Sequence, residues 1–254
     1  MKKLMFAAAS IAALATMAIE SANTVGYQLQ DYRESFQLGV PTFNLVGGTG
    51  MSVQNLIPSG ANAGGSGSIT IQTLNPQNQR VKIFYWLTDD DFGTDDGDDG
   101  WFEDRNSTGT DNLSDYVFAP GEGFLLFSGD GEIKLTVSGE VKYPTSVPCG
   151  ESFSIKGNFL PIPLEIQDMT PAGENAGGSG SITIQTLNAQ NQRVKTFYWL
   201  TDDDFGTDDG DDGWFEDRNA TGTDDLSDYT FTPGEAFLLF SGDGAITLQF
   251  PEVQ

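Results

Sequence analysis

Apolar and polar residues alternate with a period of two over several short stretches of the chain. Ile69, Ile71 and Thr73 alternate with Thr70, Gln72 and Leu74, and Ile133, Leu135 and Val137 alternate with Glu132, Lys134 and Thr136. This spacing predicts half-buried strands. The run from Val81 to Leu87 is rich in β-branched and aromatic residues and predicts another strand. Phe124-Leu125-Leu126-Phe127 is unbroken apolar sequence between Pro120-Gly121 and Gly129-Asp130-Gly131. It predicts a strand covered on both faces and followed by a tight turn. Beyond the N-terminal segment no stretch keeps a helical period, and turn residues recur every ten positions or so.

The pattern occurs twice. Residues 63–137 align with 176–250 without a gap, and roughly 85% of positions match. Upstream, Val53-Gln54-Asn55-Leu56-Ile57-Pro58 corresponds to Ile166-Gln167-Asp168-Met169-Thr170-Pro171, and further back the copies diverge. A short connection with two prolines, Lys142-Tyr143-Pro144-Thr145-Ser146-Val147-Pro148, separates them. Lys2 and Lys3 precede an alanine-rich apolar run from Leu4 to Ala18. A charged start and a short apolar middle predict a secretory signal peptide, with cleavage after Ala18 or after Ala22. The expected architecture is therefore all-β: a signal helix over residues 1–18, then two tandem sandwich-like or barrel-like units, 19–141 and 142–254. No other stretch is apolar for long enough to span a bilayer.

Composition narrows the chemistry. Thirty-seven acidic residues against twelve basic ones give a formal charge of -25. That balance repels nucleic acid and anionic membranes, and it favours cations, basic partners or solubility in salt. The chain has no histidine, which removes the commonest general base and zinc ligand. Cys149 is the single cysteine, so no intrachain disulfide forms. In Val147-Pro148-Cys149-Gly150 it reads as a small packing residue, with a thiol linking two chains as the alternative.

The stretch Tyr85–Tyr116 carries the distinctive chemistry, and it returns at Tyr198–Tyr229. Asp89, Asp90, Asp91, Asp95, Asp96, Asp98, Asp99, Glu103 and Asp104 crowd one window, with only Arg105 to offset them. Gly93, Gly97 and Gly100 let such a backbone turn tightly so that carboxylates converge. Calcium takes six to eight oxygens from loops of this kind. The expected ligand set is Asp89, Asp91, Asp95, Asp96, Asp98 and Asp99, with Asp202, Asp204, Asp208, Asp209, Asp211 and Asp212 in the second copy. The spacing departs from the EF-hand: Asp95-x-Gly97-x-Asp99-Gly100 lacks the third-position ligand, and Asn106 stands where the bidentate Glu belongs. A hydrated loop that only keeps the protein soluble is the competing reading.

Trp86 and Trp101, with Trp199 and Trp214, bracket the acidic loops. Exposed beside carboxylates, they would stack on sugar rings; otherwise they fill the core. Paired acids also serve glycosidases, but here they crowd a glycine-rich loop with no apolar pocket to raise one pKa. No enzymatic activity is expected.

Ser21-Ala22-Asn23-Thr24-Val25-Gly26-Tyr27, Phe84-Tyr85-Trp86-Leu87, Gly100-Trp101, Pro120-Gly121-Glu122-Gly123-Phe124 and Gly139-Glu140-Val141 carry a resemblance. The chain resembles a group of secreted bacterial proteins, without an assigned activity, that have an SANTVGY-like mature start. Members carry one or two β units with a YYW…GW…PGEGF…GEV pattern. The resemblance implies export and a β fold, and no activity. The expected function is a secreted or envelope-exposed, non-catalytic structural or adhesive protein with acidic, calcium-binding loops. Its expected partner is a cell-surface glycan or another copy of itself. A glycan-binding module and a secreted glycan-active hydrolase are the alternatives.

Overall fold

A computed structural model describes residues 25–32, 35–39, 51–65, 67–75, 79–92, 99–107, 112–119, 121–140, 145–160, 162–178, 180–188, 192–205, 212–220 and 225–252. The fold is all-β, as the alternation predicts. The expected signal helix lies outside the described residues. Among the described residues no helix is long and apolar enough to cross a membrane.

Among the described residues the first repeat contributes ten strands: β1 (Val25–Tyr32), β2 (Ser35–Gly39), β3 (Met51–Ser52), β4 (Leu56–Ser59), β5 (Ile69–Leu74), β6 (Arg80–Leu87), β7 (Gly100–Phe102), β8 (Val117–Phe118), β9 (Phe124–Ser128) and β10 (Ile133–Glu140). One helical turn, α1 (Asp89–Phe92), lies between β6 and β7. The strands form antiparallel sheets in the orders β2-β9-β5-β6-β7, β1-β10-β4 and β3-β8. The second repeat gives β11 (Ser146–Cys149), β12 (Ser152–Gly157), β13 (Leu164–Glu165), β14 (Thr170–Ala172), β15 (Ile182–Leu187), β16 (Arg193–Leu200), α2 (Asp202–Phe205), β17 (Gly213–Phe215), β18 (Thr230–Phe231), β19 (Ala236–Ser241) and β20 (Ile246–Gln249). Their orders, β12-β19-β15-β16-β17, β11-β20-β14 and β13-β18, match the first set strand for strand.

Register extends the duplication where the letters have diverged. Tyr32 stands opposite Ile133 as Cys149 stands opposite Ile246. Gly39 stands opposite Phe124 as Lys156 stands opposite Phe237. The hairpins β1–β2 and β11–β12 are thus the same element with different side chains.

Within each repeat the five-stranded and three-stranded sheets present their apolar faces to one cluster. In the first, Ile69, Ile71, Phe84, Trp86, Phe124 and Leu126 meet Leu56, Ile133, Leu135 and Val137. The alternation decides which side chains point inward, because successive residues of a strand face opposite ways. Lys134 is accordingly exposed between Ile133 and Leu135. The face of β5 away from this core is also covered: Thr70 and Gln72 are buried. Half-burial is therefore too low an estimate for this strand. Phe124–Phe127 departs in the other direction, since Leu125 is buried but Phe127 is 41% exposed.

Candidate functional site

The acidic stretch begins in β6, whose last residues place Trp86 inward and then release the chain into α1. Thr88-x-x-Asp91 has the logic of a capping box, in which a side chain three residues on returns to the start of the helix. Asp91 Oδ2 accepts from the Thr88 N–H at 2.9 Å and from Thr88 Oγ1 at 3.3 Å, and the Asp91 N–H donates to Thr88 O at 2.9 Å. The Asp89 N–H donates to Asp99 Oδ1 at 2.9 Å, across the loop. The second repeat reproduces the arrangement: Asp204 Oδ2 accepts from the Thr201 N–H at 2.9 Å, and Asp212 Oδ1 from the Asp202 N–H at 2.9 Å. Two carboxylates per loop thus satisfy donors that a helix start leaves open. The one-turn helix was not legible from periodicity, since four residues are too few to show a period.

Of the expected calcium ligands, Asp89, Asp91, Asp99, Asp202, Asp204 and Asp212 are placed as described. Asp95, Asp96, Asp98, Asp208, Asp209 and Asp211 lie outside the described residues. Among the described residues no group of three or more acidic, cysteine or histidine side chains is placed to hold a metal ion. Asp91→Ala, and equally Asp204→Ala, is expected to lower stability by about 1 kcal/mol through loss of the cap, read as a shift of the urea midpoint without a change of slope.

Beside each capped turn lies a recess open to solvent. In the first repeat it measures about 320 Å³ and is lined by Asn62, Gly65, Thr88, Asp90, Asp91 and Asp130, among others. In the second it measures about 380 Å³ and is lined by Glu174, Asn175, Gly178, Thr201, Asp204 and Asp243, among others. Gly65 is required by close approach: a Cβ there would fall 1.8 Å from Asp91 Oδ2 and 2.5 Å from Thr88 Oγ1. Asn62 Nδ2 donates to Glu132 O at 3.0 Å and so fixes the β9–β10 turn that carries Asp130. Asn175 does the same to Ala245 O at 3.0 Å. Glu174 occupies the position of Ala61, so the second recess has a carboxylate in place of a methyl group.

The four tryptophans are core residues. Trp101 and Trp214 are fully buried, and Trp86 and Trp199 nearly so. Trp86 and Trp101 face each other across β6 and β7 with ring centroids 5.5 Å apart at 62°, and Trp199 and Trp214 repeat this at 5.4 Å. Their rings are covered by protein, which corrects the expectation of a sugar-stacking platform at Trp86, Trp101, Trp199 and Trp214.

Sequence reasoning passed over Gln54 and Gln167, which brace this end of each repeat. Gln54 Nε2 donates to Trp101 O at 2.8 Å and Ser114 O at 2.9 Å, and its Oε1 accepts from the Trp101 N–H at 3.0 Å. Gln167 makes the same three bonds to Trp214 and Ser227. The available signal was internal: Gln is one of two residues, with Pro, that the two diverged hexapeptides share. Tyr116 and Tyr229 tie the PGE turns, each donating its hydroxyl to a glutamate, Glu122 or Glu235, at 2.5 Å. Burial first, then these carboxylates, push both phenols above the usual tyrosine range. Cys149 is buried and unpaired with another cysteine. Burial pushes its thiol up, and Lys156 opposes that. A buried, protonated thiol is a packing group rather than a nucleophile. Comparison with protein-family models, with curated proteins and with solved structures finds no match to the chain.

Proposed function

We propose that the chain is an exported, non-catalytic surface protein, structural or adhesive, whose two acid-lined recesses take hydrated calcium or the basic groups of a partner. One observation carries this reading. The recess recurs at the same place in both repeats, with Asn62, Gly65, Thr88, Asp91 and Asp130 matched by Asn175, Gly178, Thr201, Asp204 and Asp243. The formal charge of -25 adds a long-range attraction for cations. Open carboxylate sites with few fixed ligands bind calcium weakly, with Kd on the order of 10⁻⁴–10⁻³ M, as extracellular modules do. Two recesses built on the same framework in one chain gain avidity for a partner that repeats its basic groups.

Calorimetric titration of the purified chain tests the reading. The expected result is two weak calcium sites per chain, one removed by Asp130→Asn and the other by Asp243→Asn. Neither residue caps a helix, so the fold is retained. Absence of heat with both calcium and an oligolysine peptide rejects the proposal.

A further inference from the structure

The two repeats meet along a seam that the reading above does not use. Gly121, at φ +68°, makes room for Val147: a Cβ there would fall 2.8 Å from Val147 Cγ1. The Gly123 N–H donates to Ile155 O at 2.9 Å, on β12, the terminal strand of its sheet. Leu125 stands on the face of β9 away from its own core. It is only 6% exposed because it belongs to the second repeat's cluster, with Phe153 and Ile155. On the other side β2 approaches β19. Since β2 is equivalent to β12 and β9 to β19, equivalent strands meet on both sides of the seam, with the repeats exchanged. Equivalent strands facing each other with the repeats exchanged is the strand arrangement of a two-fold dimer, here within one chain.

We infer that this seam makes the two repeats one cooperative body, with the Gly121–Gly123 loop as its latch. Among the described residues the latch bond occurs once. In the second repeat Ala236 replaces Gly123, and the Gly234 N–H donates to Asn158 O of the same repeat. Interfaces between domains of one chain ordinarily permit relative motion unless they are apolar and closely fitted; Leu125 and Val147 supply that fit.

Urea unfolding of the purified chain, with native-state hydrogen exchange resolving each repeat, tests the inference. The unsubstituted chain is expected to unfold in one transition. Gly121→Val is expected to split it into two, whereas Gly234→Val, in an equally left-handed backbone at φ +81°, keeps one. Leu125→Ala leaves the first core intact and is expected to raise exchange in β12 at least about tenfold. It decides the matter if Gly121→Val does not fold. Two transitions in the unsubstituted chain, or unchanged β12 exchange in Leu125→Ala, would overturn the inference. Neither outcome depends on whether the recesses bind cations.

Discussion

Trp214→Ala is expected to lower the stability of the chain by about 3–5 kcal/mol, the range for truncating a fully buried large aromatic. Three separate contacts concentrate at this residue. The ring is wholly buried and packs edge-on against Trp199 at 5.4 Å. The indole N–H donates to Met169 O at 2.6 Å, which ties β17 to the three-stranded side of the sandwich. The peptide group exchanges hydrogen bonds with Gln167, at 3.0 Å and 2.8 Å. Alanine keeps the peptide bonds and removes the other two, leaving a cavity and an unpaired carbonyl. Trp214→Phe separates them: it restores most of the ring and not the donor, so its expected loss is about 1–3 kcal/mol. Urea denaturation followed by circular dichroism measures both, since substitution alters the fluorescence. A Phe variant as stable as the parent would show that the indole hydrogen bond contributes nothing net. An Ala variant within 1 kcal/mol of the parent, about a fivefold change in the equilibrium, would contradict the core assignment.

Tryptophan burial is also the clearest case of what the sequence leaves open. Strand type was legible, because Ile133, Leu135 and Val137 alternate with polar neighbours and Phe84 and Trp86 share a parity with each other. What β6 faces was not. A ring at a strand end beside nine carboxylates looks alike on paper whether its partner is another ring or a sugar. The deciding fact is the register of Trp86 opposite Trp101, a pairing across an acidic stretch whose closure no local pattern records. The carboxylates behave similarly. Asp91 as a cap was readable in principle from Thr88-x-x-Asp91, but three consecutive aspartates drew attention to their charge instead. Gln54 was hidden for a different reason: its three partners are backbone atoms 47 and 60 residues away, and a backbone atom leaves no letter in the sequence.

The seam marks where local reasoning ends. Thr70 and Gln72 read as positions on the wet face of a half-buried strand, yet both are buried. The unbroken run Phe124–Phe127 did signal two covered faces. Only Leu125 of its outward pair is covered, and Phe127 stays exposed because the seam crosses the sheet at the loop end. Near-identity of the repeats obscured this further. The residues that distinguish them, Gly123 against Ala236 and Gly39 against Lys156, are few and lie where the repeats touch or where the hairpins differ.

Lys156→Met is expected to stabilise the chain by about 1–4 kcal/mol around neutral pH, the range known for buried ion pairs replaced by apolar side chains of similar volume and taken here for a lone buried charge. Lys156 stands opposite Phe237, on the core-facing parity of β12, and is 8% exposed. Its ammonium has no hydrogen-bond or ion-pair partner among the described residues. Burial holds its pKa below the ordinary lysine value of 10.5; the nearby Cys149 and Glu122 oppose the shift without cancelling it. A lysine depressed in the folded state binds fewer protons there than in the unfolded chain, so stability rises with pH between the two values. The penalty is complete below the folded pKa, shrinks as pH climbs through the interval and vanishes above about 10.5. The advantage of methionine follows the same course, largest in mild acid and absent in strong alkali. Urea midpoints of the two chains at about pH 6 and about pH 10 measure it. A methionine variant less stable than the parent at both would mean that Glu122 offsets the desolvation of Lys156 across the seam, and that the lysine is a fastening rather than a burden.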